Sequence, residues 1–357
     1  MSDDRQFLLS FAPSLTVRLL RQEATLLSSE ATLVHFIANS KRETSVVDRA
    51  SGSSQYPQLS DLIPKLLKHS SNNREMAYPY SIFEPTAGAP LSTLSIYLSL
   101  SERRVVDKQV GSMARALASL TSPSGTFGVV SKVLQDPFPS GVPTVEPTGA
   151  KTWPAAFNSL LEGILRDGED MSVLLPYEVI RSHYQRLAWR LEVVTLPRLT
   201  VLDAGTDMNV MVEREVETSD APAQTRTARL TGLRSWSQGC FGDPLLSSCW
   251  EEPSEGFLEG WRENGDDIFG DEDEAHARLL LYRTYTALVG IVTEYYRPQA
   301  DSSRRELHGR RKLTSVLAEL EKIDTAPCDE SKRARSRSQD AESSKRLKSE
   351  GNDMLGI

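Results

Sequence analysis

The first apolar run, FLLSFA at residues 7–12, has the length of a short strand. In the stretch that follows, Leu26, Leu27, Leu33, Val34 and Ile37 recur at helical spacing. The polar stretch NSKRETSVVDRASGSSQ, residues 39–55, then reads as a loop or flexible insertion. Residues 78–91, YPYSIFEPTAGAPL, form an extended run closed by Pro and Gly, which predicts a strand entering a rigid connector. From Ser101, placed to cap a helix just before Glu102, the pattern turns helical, with Val106, Val110, Met113, Ala114 and Leu117 on one face. Residues 123–154 are rich in Gly and Pro and are expected to be irregular. Helical patterns return over 155–168 and 176–192, and β-like pieces follow in 197–212 and in RLTGLRSW, residues 229–236. Two late helices are centred on 276–297 and 310–323. The order is a small β-containing front, a hinge-like connector and a mainly helical back carrying a hairpin-like insertion, with no internal repeat.

With 357 residues, 39% of them apolar, the chain can bury a substantial core as one two-lobed domain or two smaller ones. A formal net charge of -8 argues against a body built to bind nucleic acid, whose phosphates must be offset by clustered Lys and Arg. The three cysteines, Cys240, Cys249 and Cys328, form no CxxC pair and have no His at metal-ligand intervals, which suits a reducing compartment. The N-terminus lacks the basic start and small-residue cleavage site of a signal peptide. No segment approaches the roughly 20 apolar residues of a membrane helix. The expectation is an intracellular protein, cytoplasmic, nuclear or both, with no membrane association.

Candidate chemistry centres on PRLTVLDAGTDMNVMV, residues 197–212, where an Asp and a short polar turn separate two β-like runs and an Asn re-enters the second. Together with FLLSFAP, SSEATLVHFI, YPYSIFEPTAGAPL, LSERRVVDKQVGSMARALASLTSPSGTFG, LTGLRSWSQGCFGDPLL and LLLYRTYTALVGIVTEYYR, this stretch resembles the aminoglycoside phosphotransferase and choline kinase-like family, particularly a fungal branch of kinase-like proteins. The resemblance spans roughly residues 7–323. It implies an α+β, two-lobed protein-kinase-like fold, with a truncated N-lobe over 1–85 and a mainly helical C-lobe over 86–326; a basic tail over 327–357, set apart by its composition, follows.

Phosphoryl transfer needs a cover over the phosphates, a Lys to neutralise them, an Asp beside the accepting hydroxyl and ligands for magnesium. In the family's frame Asp203 stands at the base and Asn209 at a magnesium ligand, six positions on where the family has five. A bulged turn at Gly205 and Asp207 can absorb the extra residue. Glu30 stands at the carboxylate that orients the phosphate-binding Lys, and Phe83 and Glu84 at the connector whose backbone faces an adenine. Other positions depart from the pattern. Only six residues precede FLLSFA, so the phosphate-covering strands are expected to be missing. Ser10 replaces the Lys, Val201 the catalytic-loop His, Ala118 a second His and Ser235 the metal-binding Asp. A neutral hydroxyl cannot supply an ammonium's charge, and it is a poor ligand for a hard dication bridging phosphates. Loss of one preorganised charge-stabilising group costs about 10²- to 10³-fold in rate, although such losses within one site do not multiply. The resemblance and its gaps together imply a catalytically inactive pseudokinase that binds or scaffolds and needs no cofactor. The alternative is an ATP-dependent phosphotransferase acting on a small-molecule hydroxyl, with Asp203 as base and magnesium on Asn209; other groups would replace Ser10 and Ser235, or upstream sequence would restore the cover.

Plainer readings stand beside these. Asp203 and Asn209 can be turn residues bonded to their own backbone, Glu30 a solvated helix residue, and Phe83 and Glu84 interlobe packing. Gly242, Asp243 and Pro244 match a family GDP motif, and equally a helix start with Asp as cap and Pro in the first position. The acidic run at 263–274 lacks the ligand alternation of a calcium loop and reads as solvated, the five histidines suggest no metal cluster, and Tyr282, Tyr285, Tyr295 and Tyr296 read as helix packing. The tail has almost no large apolar residues and is expected to be disordered. Its two basic clusters, Lys332, Arg333, Arg335 and Arg337, then Lys345, Arg346 and Lys348, resemble a bipartite nuclear import signal for an acidic-grooved carrier, a generic solvated tail being the other reading. Any further partner is an unidentified protein or small molecule.

Overall fold

A central strand flanked on both sides builds the front of the molecule. The structure is a computed structural model that describes residues 6–14, 16–44, 58–72, 74–138, 146–216, 226–263, 265 and 268–323. The expected basic tail, most of the polar insertion and part of the acidic run lie outside the described residues. Strand β1 (Leu8–Phe11), helix α1 (Leu26–Thr44), strand β2 (Leu66–Ser70) and strand β3 (Tyr80–Phe83) make the front lobe. Strand β3 lies in the middle, antiparallel to both neighbours, with Leu8 opposite Phe83 and Phe11 opposite Tyr80. One sheet face buries Ser81 and Phe83, while Leu33, Val34 and Ile37 of α1 form the facing apolar stripe. Two expectations change here. The polar stretch from residue 39 continues α1 as far as Thr44 instead of opening a loop, since Lys, Arg and Glu propagate a helix beyond its apolar stripe. Strand β2, LLKHS, went unread because a bulge between Leu66 and Lys68 breaks its alternation.

The back lobe begins at strand β4 (Ala89–Pro90) and continues through helix α2 (Leu100–Ala118), strand β5 (Gly128–Val129), helices α3 (Trp153–Asp170) and α4 (Tyr177–Leu187), strands β6 (Arg198–Val201), β7 (Val210–Val216), β8 (Arg226–Leu233) and β9 (Gly239–Gly242), and helices α5 (Glu255–Arg262), α6 (Glu272–Tyr296) and α7 (Ser302–Leu320). Its two small antiparallel sheets have the orders β4-β7-β8 and β5-β9-β6. The cap of α2 is Ser99 rather than Ser101: the Ser99 hydroxyl accepts the Glu102 N–H at 3.2 Å while the Glu102 carboxylate accepts the Ser99 N–H at 2.8 Å. This reciprocal pair uses the Ser-x-x-Glu spacing that Ser101 lacks. Val106, Val110, Met113 and Leu117 are buried as the periodicity predicts. Helices α2 and α5 touch backbone to backbone, because a Cβ at Gly260 would stand 1.9 Å from the Lys108 carbonyl oxygen.

A polar relay crosses the back-lobe core. Trp153 donates its indole N–H to the Tyr282 hydroxyl at 2.7 Å, and that hydroxyl donates to Asp243 at 2.8 Å. Arg278 pairs with the same carboxylate at 3.0 Å, and both partners are about 2% exposed. Asp243 also caps the turn Pro244–Leu246, in agreement with the reading of the GDP stretch, but the sequence pattern did not reveal its ion pair. Tyr282 and Tyr285 are buried and Tyr295 bonds to Glu306 on α7, so these aromatics pack helices as expected. Breaking a buried pair strands a charge. Arg278→Met should therefore lose about 3–5 kcal/mol of stability, and Tyr282→Phe, which leaves the indole and the carboxylate each one bond short, about 1–3 kcal/mol, both read from urea unfolding midpoints.

Candidate active-site cleft

Two turns form the floor between the lobes: residues 202–209, joining β6 to β7, and residues 234–238, joining β8 to β9. They are laced by main-chain bonds, from Leu202 N–H to the Gln238 carbonyl at 3.0 Å and from Arg234 N–H to the Asn209 carbonyl at 2.7 Å. Gly205 lets the first turn lie against residue 249, since a Cβ there would stand 2.5 Å from the Cys249 nitrogen. Arg103 grips Asp207 through two bonds of 2.9 and 3.0 Å, and the Asp207 carbonyl accepts the Ser92 N–H at 2.9 Å. Bidentate pairing of this kind fixes geometry as well as charge. Helix α2 thereby holds the part of the turn that contains the extra residue.

Asn209 is buried and fully engaged. Its amide nitrogen donates to the Ser235 carbonyl at 3.1 Å, and its amide oxygen accepts the Ser235 N–H at 2.8 Å. That oxygen is the atom through which an Asn would hold magnesium. Asn209 also reaches the main-chain carbonyl of Asp203 at 3.5 Å, so the two residues converge through backbone, not through the carboxylate. As arranged, Asn209 ties the second turn to the first through both ends of its side-chain amide.

Asp203 is placed differently. One carboxyl oxygen meets the Gln238 amide at 3.5 Å; the other is buried without a hydrogen-bond partner among the described residues. Burial pushes the Asp203 carboxyl up to about 6, and the neighbouring Glu30 charge adds to the rise against the opposing pull of its own backbone N–H. Glu30 projects from α1 into the same region. It accepts the Trp236 N–H at 2.7 Å, and burial raises its carboxyl despite that bond and a further one from the Ser235 hydroxyl. The sequence left Glu30 without a partner; the main chain of the second turn supplies one. Neither carboxyl has an ion-pair partner among the described residues.

The remaining candidates lie apart from this cluster. Ser10 sits opposite Ser81 in the front sheet. Phe83 is buried between β1 and β2, while Glu84 pairs with Lys65 at 2.9 Å and donates its N–H to the Lys65 carbonyl at 2.9 Å. The connector amide proposed to face an adenine is therefore already bonded. No group of three metal-ligating side chains occurs among the described residues. Sequence reasoning missed Gln238 and Trp236. Trp236 was legible only as an apolar position, although it is fully buried and its N–H is the one that takes Glu30.

No protein-family model matches the chain, and no curated protein matches it. Solved structures do. The GDP and kanamycin complex of APH(2″)-IIia superposes with a TM-score of 0.51 at 14% identity, covering 88% of this chain and 87% of that one. A protein assigned as a fructosamine-3-kinase of Haemophilus somnus superposes with a TM-score of 0.50 at 12% identity, covering 86% and 83%. The chain therefore has the two-lobed kinase-like fold of the aminoglycoside phosphotransferase type. Likeness at this level of identity concerns fold, and activity rests on the site.

The Asp203 carboxyl yields a pH signature. Its folded value of about 6 lies above the unfolded value of about 3.9. Its contribution is therefore fully present below pH 4 and is lost as pH rises through 6. Asp203→Asn should then stabilise the protein by about 3 kcal/mol at pH 8 and leave it nearly unchanged near pH 3. Paired urea titrations at the two pH values read this directly.

Proposed function

We propose that this protein is a non-catalytic member of the kinase-like fold class, a binding or scaffold protein that neither holds magnesium nor transfers phosphate. The observation that carries this reading is the pair of hydrogen bonds between Asn209 and the Ser235 main chain, one of which engages the amide oxygen a metal would use. Supporting it, Glu30 and Asp203 stand together without a cation, and Ser10 and Ser235 bring hydroxyls where transfer needs an ammonium and a carboxylate. A triphosphate entering such a cleft would add negative charge to two carboxyl groups already destabilised by burial. No cofactor is required by this reading. The lineage is that of the fungal kinase-like proteins, and the partner is another protein or a small molecule.

One observation favours the alternative phosphotransferase. A carboxyl held near 6 with one oxygen unbonded has the proton affinity suited to a general base. The two readings separate in one experiment. With labelled ATP, magnesium and small hydroxylated acceptors, the purified protein should transfer no label, and ATP with magnesium should leave its melting midpoint unchanged. Metal-dependent transfer that disappears in Asp203→Ala would reverse the conclusion.

The basic tail at 327–357, which lies outside the described residues, is the proposed nuclear address. Neutral replacement of its seven clustered Lys and Arg residues should shift a fluorescent fusion from nucleus to cytoplasm; an unchanged distribution removes import from the account.

A further inference from the structure

Beneath the cleft floor lies a partly open cavity of about 240 Å³ with no role in the account so far. It is enclosed by the segment that enters α1, the turn before β9 and the C-terminal part of α6. Its size falls below the ~300–1,000 Å³ of sites for drug-sized ligands, which limits an occupant to a small molecule.

The chemistry of its wall narrows the class. Ser29 lines the cavity, is 4% exposed, and its hydroxyl has no hydrogen-bond partner among the described residues. A hydroxyl that the protein leaves unbonded on a cavity wall is available to a group that enters the space. The Thr293 hydroxyl, on the opposite wall, likewise has no partner among the described residues. Gln22 accepts the Tyr285 hydroxyl through its amide oxygen, which leaves its NH₂ group to the cavity, and Gln238 contributes a second amide. Neutral donors and acceptors thus come from several sides.

The charges that line the cavity among the described residues cancel each other. Arg297 grips Glu23 through bonds of 2.6 and 2.7 Å, so a charged ligand would enter without a counter-ion of its own. No aromatic side chain lines the space among the described residues, so a planar base would have no stacking surface. Leu26, Val129, Leu202 and Val289 supply apolar walls for C–H faces. We propose that this cavity binds a small, uncharged, polyhydroxylated molecule of monosaccharide or cyclitol type, held by Ser29, Thr293 and the two glutamine amides.

Gln238 joins this site to the cleft, because its amide lies 3.5 Å from the Asp203 carboxyl while its carbonyl accepts the Leu202 N–H. The proposal rests on the binding-protein reading and names its ligand class, but it can be tested separately. The full chain is titrated with glucose, galactose, mannitol and myo-inositol, without nucleotide, by ligand-observed NMR and thermal shift. At least one should bind saturably, and Ser29→Ala and Thr293→Val should each weaken that binding about tenfold, the effect of one lost hydrogen bond, at unchanged circular dichroism. Both variants remove hydroxyls that hold nothing in the protein, so loss of fold is not expected. No saturable binding by any of the four, or equal affinity in wild type and both variants, overturns the site. Sugar-dependent consumption of ATP would instead overturn the non-catalytic reading while supporting the site.

Discussion

Asn209 and Ser235 hold each other by two hydrogen bonds, side-chain oxygen to main-chain N–H and side-chain N–H to main-chain carbonyl, and this exchange fixes the floor of the cleft. Such a pairing satisfies a buried amide and two backbone groups together, a condition every buried polar group must meet. Much else follows from it. The turn before β9 is held against the turn after β6, Trp236 sinks into the core, and its main-chain N–H is turned toward α1, where Glu30 receives it. The lobes are thereby linked across the cleft by protein hydrogen bonds at the place where a metal and phosphates would do the linking in an active phosphotransferase.

That arrangement carries an electrostatic cost. Glu30 and Asp203 are both raised by burial, and Asp203 feels the charge of Glu30 as well. Buried carboxyls usually sit beside a cation or accept several hydrogen bonds. Elsewhere the chain obeys that rule among the described residues: Asp243 has Arg278, Glu102 has Arg214, and Asp167 has Arg21. The departure is local to the cleft, which is where local frustration reports on use, since stability is given up mainly where function requires it.

Much of this was readable in advance. The stripe on α1 placed the front helix, and the stripe on α2 with the paired runs around residues 197–212 placed the helical back and its β insertion, because burial imposes periodicity wherever an element has one wet face. Strand β9, GCFG, escaped because all four of its residues are buried and no alternation survives. The cap of α2 was misplaced by two residues although the Ser99-x-x-Glu102 spacing was present to be read. For the site, the location of Asp203, Asn209 and Glu30 was legible and their partners were not. The Ser235 N–H and the Trp236 N–H belong to the backbone, and every residue but proline carries such a group, so no side-chain pattern announces which one will be used.

The crowding of acids on this floor also sets an order in which the cleft could be remade. Placing an aspartate at position 235 by itself would bring a third carboxyl to a spot that already holds two without a counter-charge, and mutual repulsion would push it toward the protonated form that binds metal poorly. A lysine has to arrive first. On the non-catalytic reading proposed above, building phosphate transfer into this scaffold is a problem of sequence in time, with the positive charge as the opening move.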